Sequence, residues 1–184
     1  ISNYAVFLDE FVPFHPDNNN REIDCKAEDY YDDLNNFFDN VEKKLKLKVI
    51  ISAHPRSNYD NNLNLFKKRR IIHGRTLDLV KGSKLVLTHA STANNFTVFF
   101  NKPLLFINSK KYSRYFQATI DRFSLELNKK SIDISSDYKL SSSDFIVNKD
   151  VYLEYIEKYI KTKNSPEINS WLIFINHLHL KFIN

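Results

Sequence analysis

The sequence predicts an α/β fold: a doubly wound parallel sheet with helices on both faces. Two observations lead there. Short apolar blocks of strand length recur along the chain, and between them lie segments whose apolar residues fall at helical spacing. Strands alternating with helices in this way build a parallel sheet, and burial on both faces makes each strand an apolar run. At 184 residues, with 42% hydrophobic and 27% charged residues, the chain has the size and composition of one globular domain with a sizeable core.

The elements follow in order. "YAVFLDEF" (4–11) reads as a buried strand stopped by Asp9 and Glu10, and the Pro- and Asn-rich loop "VPFHPDNNNRE" follows. Residues 26–46 place Tyr30, Leu34, Phe37, Phe38, Val41 and Leu45 on one helical face. Acids crowd the front of that helix and lysines its back, as the helix dipole favours. "KVIISA" (48–53) and "RIIH" (70–73) are strands, and "TLDLVKGS" (76–83) is a two-turn helix with Gly82 as its C-terminal cap. "KLVLTH" (84–89) is a strand, "STANNFTVFF" (91–100) a short helix and "KPLLFIN" (102–108) another strand. Tyr115, Phe116, Ile120, Phe123 and Leu127 make 113–130 helical. Helices are also expected over 150–163 and 166–182, the last capped by Ser165 with Pro166 at its first position. Residues 1–148 are thus expected to form the sheet domain, and 149–184 C-terminal helices packing on it.

Composition narrows the function. The net charge of +5 suits an anionic partner, but the lysines are scattered and "FKKRR" (66–70) is the only dense basic run, so nucleic acid is not expected as a partner. Cys25 stands alone, His177 and His179 are two apart on a helix, and no CxxC or His/Cys cluster appears, so no metal site is expected. No apolar run reaches the roughly 18 residues of a membrane-spanning helix, and the start is not a signal peptide. With only Gly74 and Gly82, the chain holds neither GxGxxG nor GxxxxGK. That argues against a nicotinamide or flavin site and excludes a standard P-loop. It also lacks a GxSxG elbow. No methionine occurs, even at position 1, which points to a segment of a longer chain.

Three strand ends carry chemistry. In sheets of this class ligands bind beyond the carboxyl ends of the strands, where strand order reverses. Asp9-Glu10 ends the first strand, and a carboxylate there suits a general base or a ribose ligand, though adjacent strand residues face opposite ways unless a turn begins there. His15-Pro16 adds a second titratable group nearby. "SAHPR" ends the second: Pro55 holds His54 extended, and His54 with Arg56 can contact a phosphate. The third, Thr88-His89, runs through Ala90 into Ser91-Thr92, read as a helix start whose unpaired amides and hydroxyls suit the same anion.

An acidic pair, then His-Pro, then a Ser/Thr pair, in that order, resembles the C-terminal, nucleotide-sugar-binding domain of a GT-B glycosyltransferase. More narrowly, it is similar to bacterial sialyltransferases and polysialyltransferases, and to capsule or surface-carbohydrate transferases. Phe11 stands where their acidic pair is followed by glycine. The resemblance implies a Rossmann-like half of a GT-B fold, with the acceptor-binding N-terminal domain outside this segment. It implies a CMP- or UDP-linked sugar as donor substrate, a glycan as acceptor, and no metal or other cofactor. It casts Asp9 or Glu10 as base or ribose ligand, and His54 as phosphate contact and acid. The donor would further meet Pro55, Arg56, His89, Ser91 and Thr92. It also implies a cytoplasmic enzyme, the full-length protein associating peripherally with the inner membrane.

Overall fold

A computed structural model of the chain describes residues 3–16, 25–59 and 64–182. Six strands form one sheet: β1 (Tyr4–Leu8), β2 (Lys48–Ser52), β3 (Ile71–Ile72), β4 (Leu85–Thr88), β5 (Leu104–Asn108) and β6 (Ser131–Asp133). All pairings are parallel and the order is β3-β2-β1-β4-β5-β6. The chain winds from β1 outward to β3, then returns to the other side of β1 for β4. Between β1 and β4 the winding reverses, and a crevice opens there at the carboxyl edge.

Helix α1 (Ala27–Leu45) turns Tyr30, Leu34, Phe37, Phe38 and Val41 into the core as its spacing predicts, and Lys46 ends it in the left-handed conformation with φ 56°. The core on this face is built from rings: Phe7 of β1 lies 5.2 Å from Phe38 and 6.2 Å from Phe66, and Phe66 lies 5.5 Å from Tyr59. Each ring buries more apolar area than a Val or Leu would, so few residues fill the layer.

The other helices are α2 (Thr76–Gly82), α3 (Asn94–Phe99), α4 (Arg114–Glu126), α5 (Lys149–Tyr155) and α6 (Ser170–Phe182). Several boundaries differ from the sequence expectation. Strand β1 stops at Leu8, so Asp9 and Glu10 already lie in the turn. The third helix begins at Asn94 rather than Ser91, and Ser91–Ala93 form a turn whose carbonyls accept from the amides of Asn94, Asn95 and Phe96. Strand β6 has three half-buried residues and no apolar run to announce it. The helix expected over 150–163 is α5 followed by one π-helical turn, Ile156–Ile160. The last helix starts at Ser170, where Asn169 Oδ1 accepts the Trp171 amide, and Pro166 lies outside it. Tyr152 of α5 is buried and its hydroxyl donates to the Lys102 carbonyl, whereas Trp171, Leu172 and Phe174 of α6 are exposed. The loop expected over 12–22 lies outside the described residues from position 17 onward, as does the side chain of His179. Among the described residues no helix is long and apolar enough to cross a membrane.

Gly82 closes α2 in ordinary helical geometry, not as a left-handed cap; Gly74 is the glycine with positive φ, 68°. What Gly82 provides is space. A Cβ there would meet the Tyr4 hydroxyl oxygen at 2.7 Å, and that hydroxyl donates to the Leu79 carbonyl. Gly82→Ala is expected to destabilise by about 1 kcal/mol, the worth of that hydrogen bond. In a Tyr4→Phe background it becomes neutral or stabilising, because the oxygen is gone and alanine favours the helix. Urea unfolding of the four proteins of this cycle measures the coupling, and additive effects would refute the steric account.

Candidate active site

The carboxyl ends of β1, β2 and β4 bound a crevice of about 520 Å³, within the range of small-molecule sites. Its walls hold Asp9 and Glu10 after β1, His54 and Pro55 after β2, and Ser91 and Thr92 after β4. Three motifs spread over more than 80 positions therefore meet in one place.

The two acids differ in their commitments. Asp9 is buried and both of its oxygens are used: Oδ1 accepts the Phe11 amide at 3.0 Å, and Oδ2 accepts the Tyr59 hydroxyl at 2.6 Å and the His54 amide at 3.4 Å. It thus ties the end of β1 to that of β2. Burial lifts its pKa above the ordinary value, with these hydrogen bonds working against the rise. Glu10 accepts the Ala90 amide at 2.7 Å on Oε1, and this links β1 to β4. Burial, opposed by that amide and reinforced by the Asp9 charge, pushes Glu10 up to about 7. Glu10 is therefore able to change protonation near neutral pH.

Phe11 follows with φ 53° and ψ 35°, the left-handed region that a bulky side chain rarely enters. Its ring, packed 5.3 Å from Tyr59 and 5.5 Å from Phe14, and the bond from its amide to Asp9 hold it there. It is a conformation that glycine favours. This bend turns both acids toward the crevice despite their adjacency.

His54 Nδ1 accepts the Arg56 amide at 3.2 Å, so in the neutral ring the proton sits on Nε2. The His15 ring stands 5.0 Å away and also lines the crevice. Arg56 does not line it; its guanidinium donates to His15 Nε2 at 3.0 Å. Ser91 Oγ accepts the Ala93 amide at 3.2 Å, which shapes the turn under the site.

His89 lies below the site in the core, 0% exposed, and is absent from the crevice wall. One ring nitrogen, Nδ1, contacts the Ile107 carbonyl at 2.7 Å, and Nε2 contacts the Tyr30 hydroxyl at 3.1 Å. A carbonyl only accepts, so Nδ1 carries the proton and Nε2 takes one from Tyr30. Burial holds the imidazole down to about 4, against the pull of the Ile107 carbonyl. Its place is structural.

Sequence reasoning did not reach the far wall. Thr76 at the start of α2, whose hydroxyl bonds Ser52 Oγ at 2.9 Å, and Tyr115, Phe116 and Thr119 of α4 complete the crevice. Helix α4 was legible only as an amphipathic helix, and which of its exposed residues overhang the site depends on its seat on the sheet. Among the described residues no cluster of three or more His, Cys, Asp or Glu is placed to hold a metal.

No protein-family model matches the chain, and no curated protein matches it. Several solved structures are similar, two of which are named here. A UDP-GlcNAc 2-epimerase from Methanocaldococcus jannaschii, in complex with UDP-GlcNAc and UDP, is 18% identical with a TM-score of 0.46, over 98% of this chain and 46% of that one. The glycotransferase of kitacinnamycin is 10% identical with a TM-score of 0.40, over 74% of this chain and 32% of that one. The chain spans less than half the length of either.

Proposed function

We propose that this chain is the donor-binding half of a glycosyltransferase, holding a nucleotide-activated sugar in the crevice between β1 and β4. The observation that carries the reading is the convergence of Glu10, His54 and the Ser91-Thr92 turn on one cavity of about 520 Å³ at the reversal of strand order. His54 Nε2–H and the turn's hydroxyls are suited to the phosphate, which gains negative charge as the bond to the sugar breaks. In the transfer step an acceptor hydroxyl attacks the anomeric carbon, the carbon–oxygen bond to the phosphate breaks, and its electron pair leaves with the phosphate. The hydroxyl proton goes to a carboxylate, and Glu10 is the group poised for it. The acceptor is a glycan of a surface polysaccharide, bound by the other half of the full-length enzyme in the cytoplasm. The donor of this reading is a CMP- or UDP-linked sugar.

Calorimetric titration with CMP, UDP, CDP and their sugar conjugates tests this. Selective binding of one nucleotide is expected, weakened about 10- to 100-fold in His54→Ala with the melting temperature unchanged, the range for one hydrogen bond to a charged group. Ser91→Ala is expected to weaken it in the same direction. Equal affinity in wild type and His54→Ala would remove His54 from the site, and no binding to any nucleotide would overturn the reading.

A further inference from the structure

The chain has two His-Pro pairs, His15-Pro16 and His54-Pro55, and both histidines line the crevice. Proline restricts the residue before it to extended geometry, and His15 has φ −62° and ψ 130°. The second pair opens a tight turn with Pro55 and Arg56 at its centre. The His54 carbonyl accepts the Ser57 amide at 2.9 Å and the Ser57 hydroxyl at 2.7 Å. The two imidazoles, on loops that follow different strands, stand edge to face with centroids 5.0 Å apart.

Arg56 touches both histidines, each through a different donor. Its amide donates to His54 Nδ1 at 3.2 Å, and its guanidinium donates to His15 Nε2 at 3.0 Å. Neither donor can accept, so each ring nitrogen they meet carries the lone pair. In the neutral rings the protons then sit on opposite atoms, on Nε2 of His54 and on Nδ1 of His15. The arginine itself is not part of the crevice wall, so it acts on the site through the rings it holds. A contact that served only to fasten the surface loop would need neither ring in that wall.

We propose that His15 is a second ligand of the donor phosphate through its Nδ1–H, and that Arg56 is the positioning residue that fixes the proton on both rings. These roles rest on the crevice holding a nucleotide-activated sugar, as proposed above. Donors set in place before the anion arrives need no reorganisation as its oxygens gain charge.

Two measurements test these roles, and they fail separately. The first needs no ligand: long-range 1H–15N spectra of the 184-residue chain near pH 8, where ordinary imidazoles are neutral. His15 is expected to be protonated on Nδ1 and His54 on Nε2. Arg56→Met keeps the backbone amide but loses the guanidinium, so His15 should lose its Nδ1–H preference while His54 keeps its own. A wild-type His15 protonated on Nε2, or an unchanged His15 in Arg56→Met, would overturn the role of Arg56.

The second is calorimetric titration with whichever of CMP, UDP and CDP binds the wild type. His15→Ala is expected to weaken binding about 10- to 100-fold with the melting temperature unchanged, the range for one hydrogen bond to a charged group. Asparagine carries an N–H where Nδ1 stands, and glutamine carries one where Nε2 stands. His15→Asn should therefore retain most of the affinity, and His15→Gln should bind like His15→Ala. Unchanged affinity in His15→Ala, or equal affinities in the Asn and Gln variants, would overturn the ligand role and leave the nucleotide site standing. Absence of nucleotide binding in wild type would overturn the crevice reading and the ligand role together, while the spectra still decide what Arg56 does.

Discussion

His89→Ala lowers the unfolding free energy by about 4 kcal/mol or more, the range for removing a fully buried ring. The side chain is enclosed by Phe7, Tyr30, Tyr112 and Phe116, with ring centroids 5.4 to 5.6 Å away, so the neighbours cannot close the space without leaving their own contacts. The truncation also strands two buried polar groups, the Ile107 carbonyl and the Tyr30 hydroxyl, each costing about 1–3 kcal/mol when left without a partner. Tyr30→Phe removes one of those groups. Added to His89→Ala, it should therefore cost less than it does alone. Urea denaturation of the single and double variants measures this, and a loss below 1 kcal/mol for His89→Ala would show that His89 does not hold the core together.

The pH dependence of stability carries the second large effect, because His89 and Glu10 pull in opposite directions. Glu10 has a folded-state pKa of about 7 against an ordinary 4.5, so the folded protein holds the proton more tightly. Its contribution is full below about 4.5 and is lost as pH rises through about 7. His89 has a folded value of about 4 against 6.5, so the unfolded chain takes the proton first. Its contribution is full above about 6.5 and is lost as pH falls through about 4. Each displacement is worth about 3 kcal/mol, and between pH 4.5 and 6.5 the two slopes oppose. The wild type should change little across that window on their account. Glu10→Gln keeps an oxygen for the Ala90 amide but removes the titration. Its stability should then rise with pH, by about 2–3 kcal/mol from pH 4.5 to 6.5. Asp9, raised by burial in the same direction as Glu10, works against that rise. A variant profile parallel to that of wild type would show that Glu10 titrates normally in the fold.

Much of the architecture can be read along the chain. Helix α1 is written in the spacing of Tyr30, Leu34, Phe37, Phe38 and Val41, and β1, β2, β4 and β5 in short apolar blocks, because burying one face or both imposes a local period. The Asp9-Glu10, His54-Pro55 and Ser91-Thr92 ends follow from it, since a parallel sheet carries all its strand ends to one edge. What the chain does not display is contact across distance. The bend at Phe11 that turns both acids inward depends on Tyr59 packing against its ring. Arg56 faces His15 and His89 sinks into the core, although both sit in strings that read as phosphate ligands. The far wall comes from α4. Periodicity belongs to neighbours in sequence and needs no partner to be expressed. Depth, side-chain direction and the company a charge keeps are set by strand register and helix seating, which only the packed sheet decides.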